Sequence, residues 1–409
     1  MDRLSELRAG LEERGCDALL VLARSSQDTD LAPFVGGVHL GDCQLIVPRE
    51  GRPCLAYLTP MERQEAAATG FELITPEQLE LNRWENVAPE PGDVMAWVAE
   101  KSLLLSGLSP GRVALAGHGQ AGVIQAACKA LSGKGWQWVA GNALVQKLRK
   151  RKTAAEVAAI RGAARGTAGA MRMVARRLAA AVPRENGELW LEGERLTVAR
   201  LRSEISRSLA EQGLEQPKGN ILAPAEEGAI PHSSGTPDRV LRAGESIVVD
   251  LFPRGALFAD CTRTFCVPHS DQPPPAALRR AHSLVLAVLE RAHLDARAGV
   301  RGWDLHAEAC ARFEAEGFPT LLSDPNTTRG YVHNLGHGVG FDLHEQPIFR
   351  KAAGAEGVLR EGDVFTLEPG LYDPEGGYAV RLEDLVFLGP DGLENLTPLP
   401  YEMDPRAWG

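Results

Sequence analysis

Two aspartates open the chemistry of this chain. In VVDLFPRGALFADCTRTF, Asp250 ends the β-branched run Ile247–Val249 and Asp260 begins a second segment after a turn at Pro253 and Gly255. The pattern predicts a β-hairpin whose strands each present one carboxylate to the same point. Taken singly, either Asp is more readily a cap or an Asx-turn. YVHNLGHGVGFDLHEQP follows, holding His333, His337 and His344, three of the chain's 10 histidines within 12 residues. His333 and His337 have the i, i+4 spacing of a zinc-protease helix, but Gly336, Gly338 and Gly340 argue against a helix. Asn334 also stands where that motif needs a general-base Glu. What remains is a glycine-rich strand or loop on which three imidazoles converge. Glu368 closes a strand in FTLEPGLY, and Glu383 is expected inside a strand built from Val380, Leu382, Leu385 and Val386. A carboxylate in an apolar strand is costly unless paired or metal-bound. A strand-end Glu in water, or a pair with Arg381, would be plainer explanations.

Asp250, Asp260, Glu368 and Glu383 with His337 make four carboxylates and one imidazole. Their charge balances two divalent ions. Oxygen-rich ligation with one nitrogen suits Mn²⁺, Co²⁺ or Zn²⁺ without choosing among them. Two such ions acidify a bound water and polarise a carbonyl, which is hydrolytic chemistry.

The elements that must position these residues fall into two parts. A helix over Leu4–Arg14, a buried strand over Ala18–Leu22 and a second over Gln44–Val47 predict a small α/β domain that continues to about Val145. VQKLRKRKTAAEVAAIRGAARGTAGAMRMVARRLAAAV then reads as one long helical pattern ended by Pro183, with a domain boundary near Ala143–Lys147. The rest mixes helices such as Leu201–Gln212 with strands such as Ser246–Leu251, Val364–Leu367 and Leu385–Leu388. Gly117, Gly119 and Gly122 form a GxGxxG, but no Asp or Glu occurs between Lys101 and Ala155 to hold a ribose, so a tight turn is expected there. The KLRKRK cluster at Lys147–Lys152 is expected to be a solvated first turn of the interdomain helix rather than a nucleic-acid patch.

With 44 Lys+Arg against 54 Asp+Glu the chain carries a net charge of −10, which disfavours a general nucleic-acid binder. Its 7 cysteines are scattered and include no CxxC pair, so neither a disulfide framework nor a zinc knuckle is indicated. The charged N-terminal stretch MDRLSELRAGLEERG lacks an apolar signal region, and no run is long and apolar enough to span a membrane. A cytoplasmic address and no membrane partner are the expectations.

The ordered set Asp…DxTRT…HxxGHGxG…HE…LEPG…RLED resembles the M24 metallopeptidases of pita-bread fold, and within them the Xaa-Pro aminopeptidase/prolidase branch. The resemblance implies an α/β creatinase-like N-terminal domain at 1–146 and an α+β pita-bread catalytic domain at 147–409, with a linker helix over 147–182. It implies that Asp250 chelates the first of two metal ions, that Asp260 and Glu383 bridge both, and that His337 and Glu368 hold the second. Glu368 is then also the general base. His344 contacts the substrate near the scissile amide, while His232 and His333 line the pocket for proline. Arg381 orders the carboxylates or meets a substrate carboxylate, and Thr262 and Thr264 bond the ligands from behind. Peptides with proline as second residue are the implied partners, Mn²⁺ the implied metal ahead of Co²⁺ or Zn²⁺, and a homodimer the implied assembly. The sequence departs from the branch at Ala256-Leu257, where a Gly-Tyr with a pocket tyrosine is expected, at Asn334, in the short Asp250–Asp260 hairpin and in the long connection Glu185–Thr197. These departures leave open a changed, non-proline specificity. A metal-free creatinase-like C–N hydrolase or a non-catalytic binding module would share the fold, but both sit poorly with an intact ligand set.

Overall fold

The apolar run Ala18–Ala23, buried along its whole length, is the central strand of the first of two units in the computed structural model, which describes residues 3–84, 89–269 and 272–408. The units are Met1–Arg149 and Lys150–Gly409. The first runs α1 (Arg3–Glu13), β1 (Ala18–Ala23), α2 (Ala32–Val35), β2 (Cys43–Pro48), β3 (Cys54–Tyr57), α3 (Arg63–Ala68), β4 (Glu72–Ile74), α4 (Pro91–Leu105), β5 (Arg112–Gly117), α5 (Ala121–Ser132), β6 (Gln137–Ala140) and α6 (Asn142–Lys150). Its strands form one mixed sheet in the order β4-β3-β2-β1-β5-β6. A strand buried on both faces reads as a continuous apolar run, and both faces here are covered. Leu7 and Leu11 of α1 with Leu144, Val145 and Leu148 of α6 pack on one side, and Val98 and Leu103 of α4 with Ala127 and Leu131 of α5 pack on the other. GxGxxG joins β5 to α5 as a tight turn, with Gly117 at φ +102° against β1.

The second unit begins with α7 (Ala154–Ala180), followed by β7 (Val182–Pro183), β8 (Leu189–Leu191), β9 (Glu194–Arg195), α8 (Val198–Ala210), β10 (Ile221–Pro224), α9 (Ala225–Gly228), β11 (Ile247–Leu251) and β12 (Cys261–Phe265). Then come α10 (Ala276–Asp295), α11 (Gly302–Ala315), β13 (His337–Gly338), β14 (Glu345–Ile348), β15 (Val364–Leu367), β16 (Gly370–Asp373), β17 (Tyr378–Arg381), β18 (Asp384–Gly389) and β19 (Gly392–Asn395). Three sheets matter for the site: β10-β11-β12, β14-β13-β15-β18-β19 and the ribbon β16-β17. Alternation along β15 sends Phe365 and Leu367 into the core beneath α10 and α11 and leaves Thr366 on the opposite face.

Three sequence expectations are corrected. The long Ala/Arg-rich pattern is two helices, because Thr153 and Glu156 form a reciprocal capping box that starts α7 afresh. Lys152 N there donates to Gly362 O at 2.8 Å, and α7 ends at Ala180, ahead of Pro183. The KLRKRK cluster is not a solvated turn: Arg149, Lys150 and Lys152 are buried. Lys150 Nζ donates to Glu356 O at 2.7 Å and Val358 O at 2.8 Å, and Lys152 Nζ to Glu345 Oε1 at 2.6 Å. Finally, Glu383 is not inside a strand but in the two-residue break between β17 and β18, where its N–H donates to Thr262 O at 3.0 Å. The long connection 185–197 is used to build the small sheet β7-β8-β9.

Candidate metal centre

The hairpin register decides what Asp250 and Asp260 can do together. Asp250 in β11 lies opposite Thr262 in β12, and Asp260 precedes Thr262 by two residues, so all three side chains leave the same face. Across from them, the segment carrying His337 is held against β14 and β15 by close backbone contact. A Cβ at Gly336 would stand 2.0 Å from Thr366 O, and one at Gly338 would stand 2.0 Å from Gln346 O. These glycines let His337 approach, and Thr366 Oγ1 accepts its backbone N–H at 3.2 Å. Glu368 follows β15 and Glu383 follows β17, so each carboxylate sits where a strand stops and a side chain can turn inward.

These elements enclose a cavity of about 550 Å³ whose wall includes Asp250, Asp260, His337, Glu368 and Glu383. Ligand atoms of Asp260, His337 and Glu383 all lie within 4.8 Å of one another. His337 Nε2 is 3.8 Å from Asp260 Oδ2 and 3.4 Å from Glu368 Oε1. Asp250 turns Oδ2 to Arg381 at 2.6 Å. The Oδ1 atoms of Asp250 and Asp260 are buried with no hydrogen-bond partner. Burial first, then the neighbouring carboxylates, hold the Asp260 and Glu383 carboxyls well above the usual range. Burial pushes Glu368 up to about 8 against the pull of Arg381. Burial likewise pushes His337 down to about 3, so its imidazole is a neutral nitrogen donor. Orphaned carboxylate oxygens, crowded acids and a neutral imidazole are the donor set that a divalent cation completes.

The other expected site residues are placed as follows. His232, His333 and His344 line the same cavity. The His344 ring stands edge-on to that of His337 with centroids 4.2 Å apart. His333 Nε2 is 2.9 Å from Tyr372 Oη and Nδ1 is 2.8 Å from Asn334 O. Burial pushes His333 down to about 3. Arg381 is buried, donating to Asp250 Oδ2 at 2.6 Å, Tyr372 Oη at 2.8 Å and Thr262 Oγ1 at 3.2 Å. It orders the Asp250 carboxylate while standing on the cavity wall, and these bonds use three of the five N–H donors of a guanidinium. Thr262 Oγ1 donates to Glu383 Oε2 at 2.7 Å. Thr264 touches no ligand carboxylate in this way; its hydroxyl bonds the Arg381 backbone at 2.9 Å instead. Leu257 is absent from the cavity wall, while Asn334 is part of it.

Three contributors escaped the sequence. Tyr372 joins His333 to Arg381, and its only signal was an aromatic hydroxyl shortly after LEPG. Lys152 and Glu345 form a fully buried pair next to His344. Arg350 lines the cavity, is exposed, and has no side-chain partner among the described residues.

Comparison with known proteins accords with this geometry. The model of metallopeptidase family M24 matches residues 158–390. The chain belongs to metallopeptidase family M24. M24 relatives include a probable dipeptidase PepE of Mycobacterium tuberculosis, 30% identical over 213 residues that make up 51% of each chain. Another is an Xaa-Pro dipeptidase of Pyrococcus furiosus, 32% identical over 196 residues, 47% of this chain and 51% of the relative. The chain thus spans about half the length of the curated relatives it matches. A solved prolidase from Pyrococcus horikoshii superposes with a TM-score of 0.74 at 20% identity, covering 98% of this chain and 99% of that one. The fold is therefore that of the pita-bread M24 proteins, with an α/β N-terminal part ahead of the α+β part that carries the centre.

Proposed function

We propose that Asp250, Asp260, His337, Glu368 and Glu383 hold two divalent ions, manganese ahead of cobalt or zinc, and that the centre cleaves the bond between an N-terminal residue and proline in short peptides. The observation that supports this best is the pair of buried, unpartnered oxygens, Asp250 Oδ1 and Asp260 Oδ1, on the wall that His337, Glu368 and Glu383 share. Bound ions would supply an acidified water and polarise the scissile carbonyl. The chain's own residues do the rest. Asp250 would serve one ion, His337 and Glu368 the other, and Asp260 and Glu383 would be shared. Glu368 takes the water's proton and returns it to the prolyl nitrogen as the C–N bond breaks. His344, exposed beside His337, donates a hydrogen bond to the developing oxyanion. His232 and His333 flank the prolyl ring, with His333 fixed by Tyr372 and the Asn334 carbonyl. The first unit is the creatinase-like domain of 1–146 ahead of the catalytic part, in a homodimer of the cytoplasm.

Arg350, on the cavity wall and without a side-chain partner among the described residues, could meet a dipeptide's carboxylate, which favours the dipeptidase over the aminopeptidase form of the activity. A specificity not restricted to proline is the second possibility, favoured by Asn334 on the cavity wall. The test is purified enzyme reloaded with Mn²⁺, Co²⁺ or Zn²⁺ and given Ala-Pro, Ala-Pro-Ala and Ala-Ala. Release of alanine from Ala-Pro well ahead of Ala-Ala is expected, and Arg350→Met should raise KM about tenfold for Ala-Pro with little effect on the tripeptide. No release under any of the three metals sinks the proposal, and equal rates for Ala-Ala select the second possibility.

A further inference from the structure

The first unit holds a cavity of about 420 Å³ that the chemistry above does not use. It opens where β1 and β5 end and α4 and α5 begin, with Leu58, Val94, Met95 and Val98 in its apolar wall. Gln44 lines it from β2, paired in register with Leu22 on one side and Ala56 on the other. That sheet face is otherwise given to Leu20, Leu22, Ile46 and Ala56 beneath α4 and α5. Gln44 is only 5% exposed. Its Oε1 is buried with no hydrogen-bond partner, and its Nε2 has none among the described residues. A carboxamide presents an acceptor and a donor side by side, and a buried one without partners asks for a complementary edge. The cavity's charged groups do not ask for an ion. Arg24 and Asp42 are both mostly exposed and lie 3.8 Å apart, and His118 is taken by Asp28 at 3.0 Å. The buried end is neutral.

We propose that this cavity binds an apolar small molecule through an amide-type edge, its C=O and N–H facing the Gln44 carboxamide and its body lying against Val94, Met95 and Val98. Lactams and primary amides, whose C=O and N–H lie on one side, have this chemistry; an open-chain secondary amide is trans and points the two apart, and carboxylates and ammonium groups lack one of them. The volume falls in the range of ordinary ligand pockets, about 300–1,000 Å³.

The test uses the full-length protein with ¹³C-methyl methionine, Met95 being assigned by Met95→Leu. β-Cyclohexyl-γ-butyrolactam is titrated against β-cyclohexyl-γ-butyrolactone, a cyclic ester of the same shape that lacks the N–H. The lactam should move the Met95 methyl saturably and bind about tenfold tighter than the lactone. Gln44→Leu should remove that preference, and Val98→Trp, which fills the cavity, should remove both responses. The proposal is overturned by a lactam that leaves Met95 unmoved, or by a preference that survives in Gln44→Leu. Should Val98→Trp fail to fold, the Gln44→Leu comparison decides alone.

Discussion

At Glu383 one carboxyl meets two demands. Oε2 accepts from Thr262 Oγ1 at 2.7 Å, and the group is crowded by Glu368 and Asp250 in a buried setting. Neutralising it should spare the fold and cost the metal. Glu383→Gln keeps the Thr262 bond but offers a poorer ligand, so bound metal measured by mass spectrometry should fall and kcat should drop by about 10³-fold or more. His306 makes a different prediction, because it is no part of the cavity wall and stands between Trp303 and Tyr331 with ring centroids 5.5 and 5.6 Å away. Burial alone pushes it down to about 4. In the unfolded chain an ordinary His binds its proton below about 6.5, so between that value and the folded one the unfolded state holds more protons. Stability is then fully present above about 6.5 and is lost as pH falls toward the folded value, by about 3 kcal/mol. His306→Phe should flatten that part of the urea-unfolding profile against pH; an unchanged slope would refute the assignment.

At the scale of elements, the β13–β14 segment is pinned by a buried ion pair. Lys152, in the break before α7, reaches Glu345 Oε1 at 2.6 Å, and a Cβ at Gly340 would stand 2.6 Å from both Lys152 Cε and Glu345 Oε1. Lys152→Met removes the cation paired with the buried Glu345, which should cost about 3–5 kcal/mol in urea unfolding. Lys152→Met with Glu345→Leu should regain most of that stability. The neighbouring His344 would still lose its anchor, so kcat should stay depressed by about tenfold or more in the double variant. This pair also shows where a sequence stops being legible. Val364–Leu367 could be bounded to the residue because β-branched and apolar residues end there at Glu368-Pro369. The burial of Lys152 depends on a partner 193 positions away, and nothing local distinguishes it from the exposed Lys147. The capping box Thr153–Glu156 was legible by spacing, yet the continuous Ala/Arg periodicity on both sides masked the break. The placement of Glu383 failed for a related reason, since Val380–Val386 alternates well enough for one strand while Leu382 and Glu383 pass between two.

For the molecule as a whole, the proposed centre should act as a stability element as well as a site. Four acids that repel one another and two buried oxygens without partners weigh on the metal-free second unit. Stripping divalent metal with EDTA should lower Tm. Returning Mn²⁺ at about a hundredfold over its Kd should restore about 2.7 kcal/mol per independent ion. Calorimetry across a metal titration checks this, and a Tm indifferent to metal would count against the ligand set. Long-range order of this kind was the least legible layer. Motif order along the chain suggested which residues meet, but the joining of His333 to Arg381 through Tyr372 depends on the β16–β17 ribbon.

The strand-end placement of the acids has a kinetic consequence. Asp250, Asp260, His337, Glu368 and Glu383 enter the cavity from the β11–β12 hairpin, the β13 segment and the ends of β15 and β17. No short piece of chain contains enough of them to grip an ion, and closing so large a loop is among the slower events of folding. The visible absorption of bound Co²⁺ should therefore lag behind far-UV circular dichroism when the denatured chain is diluted into cobalt. Colour would then time the meeting of the strands, as a clock that starts only when distant parts of the second unit have found one another.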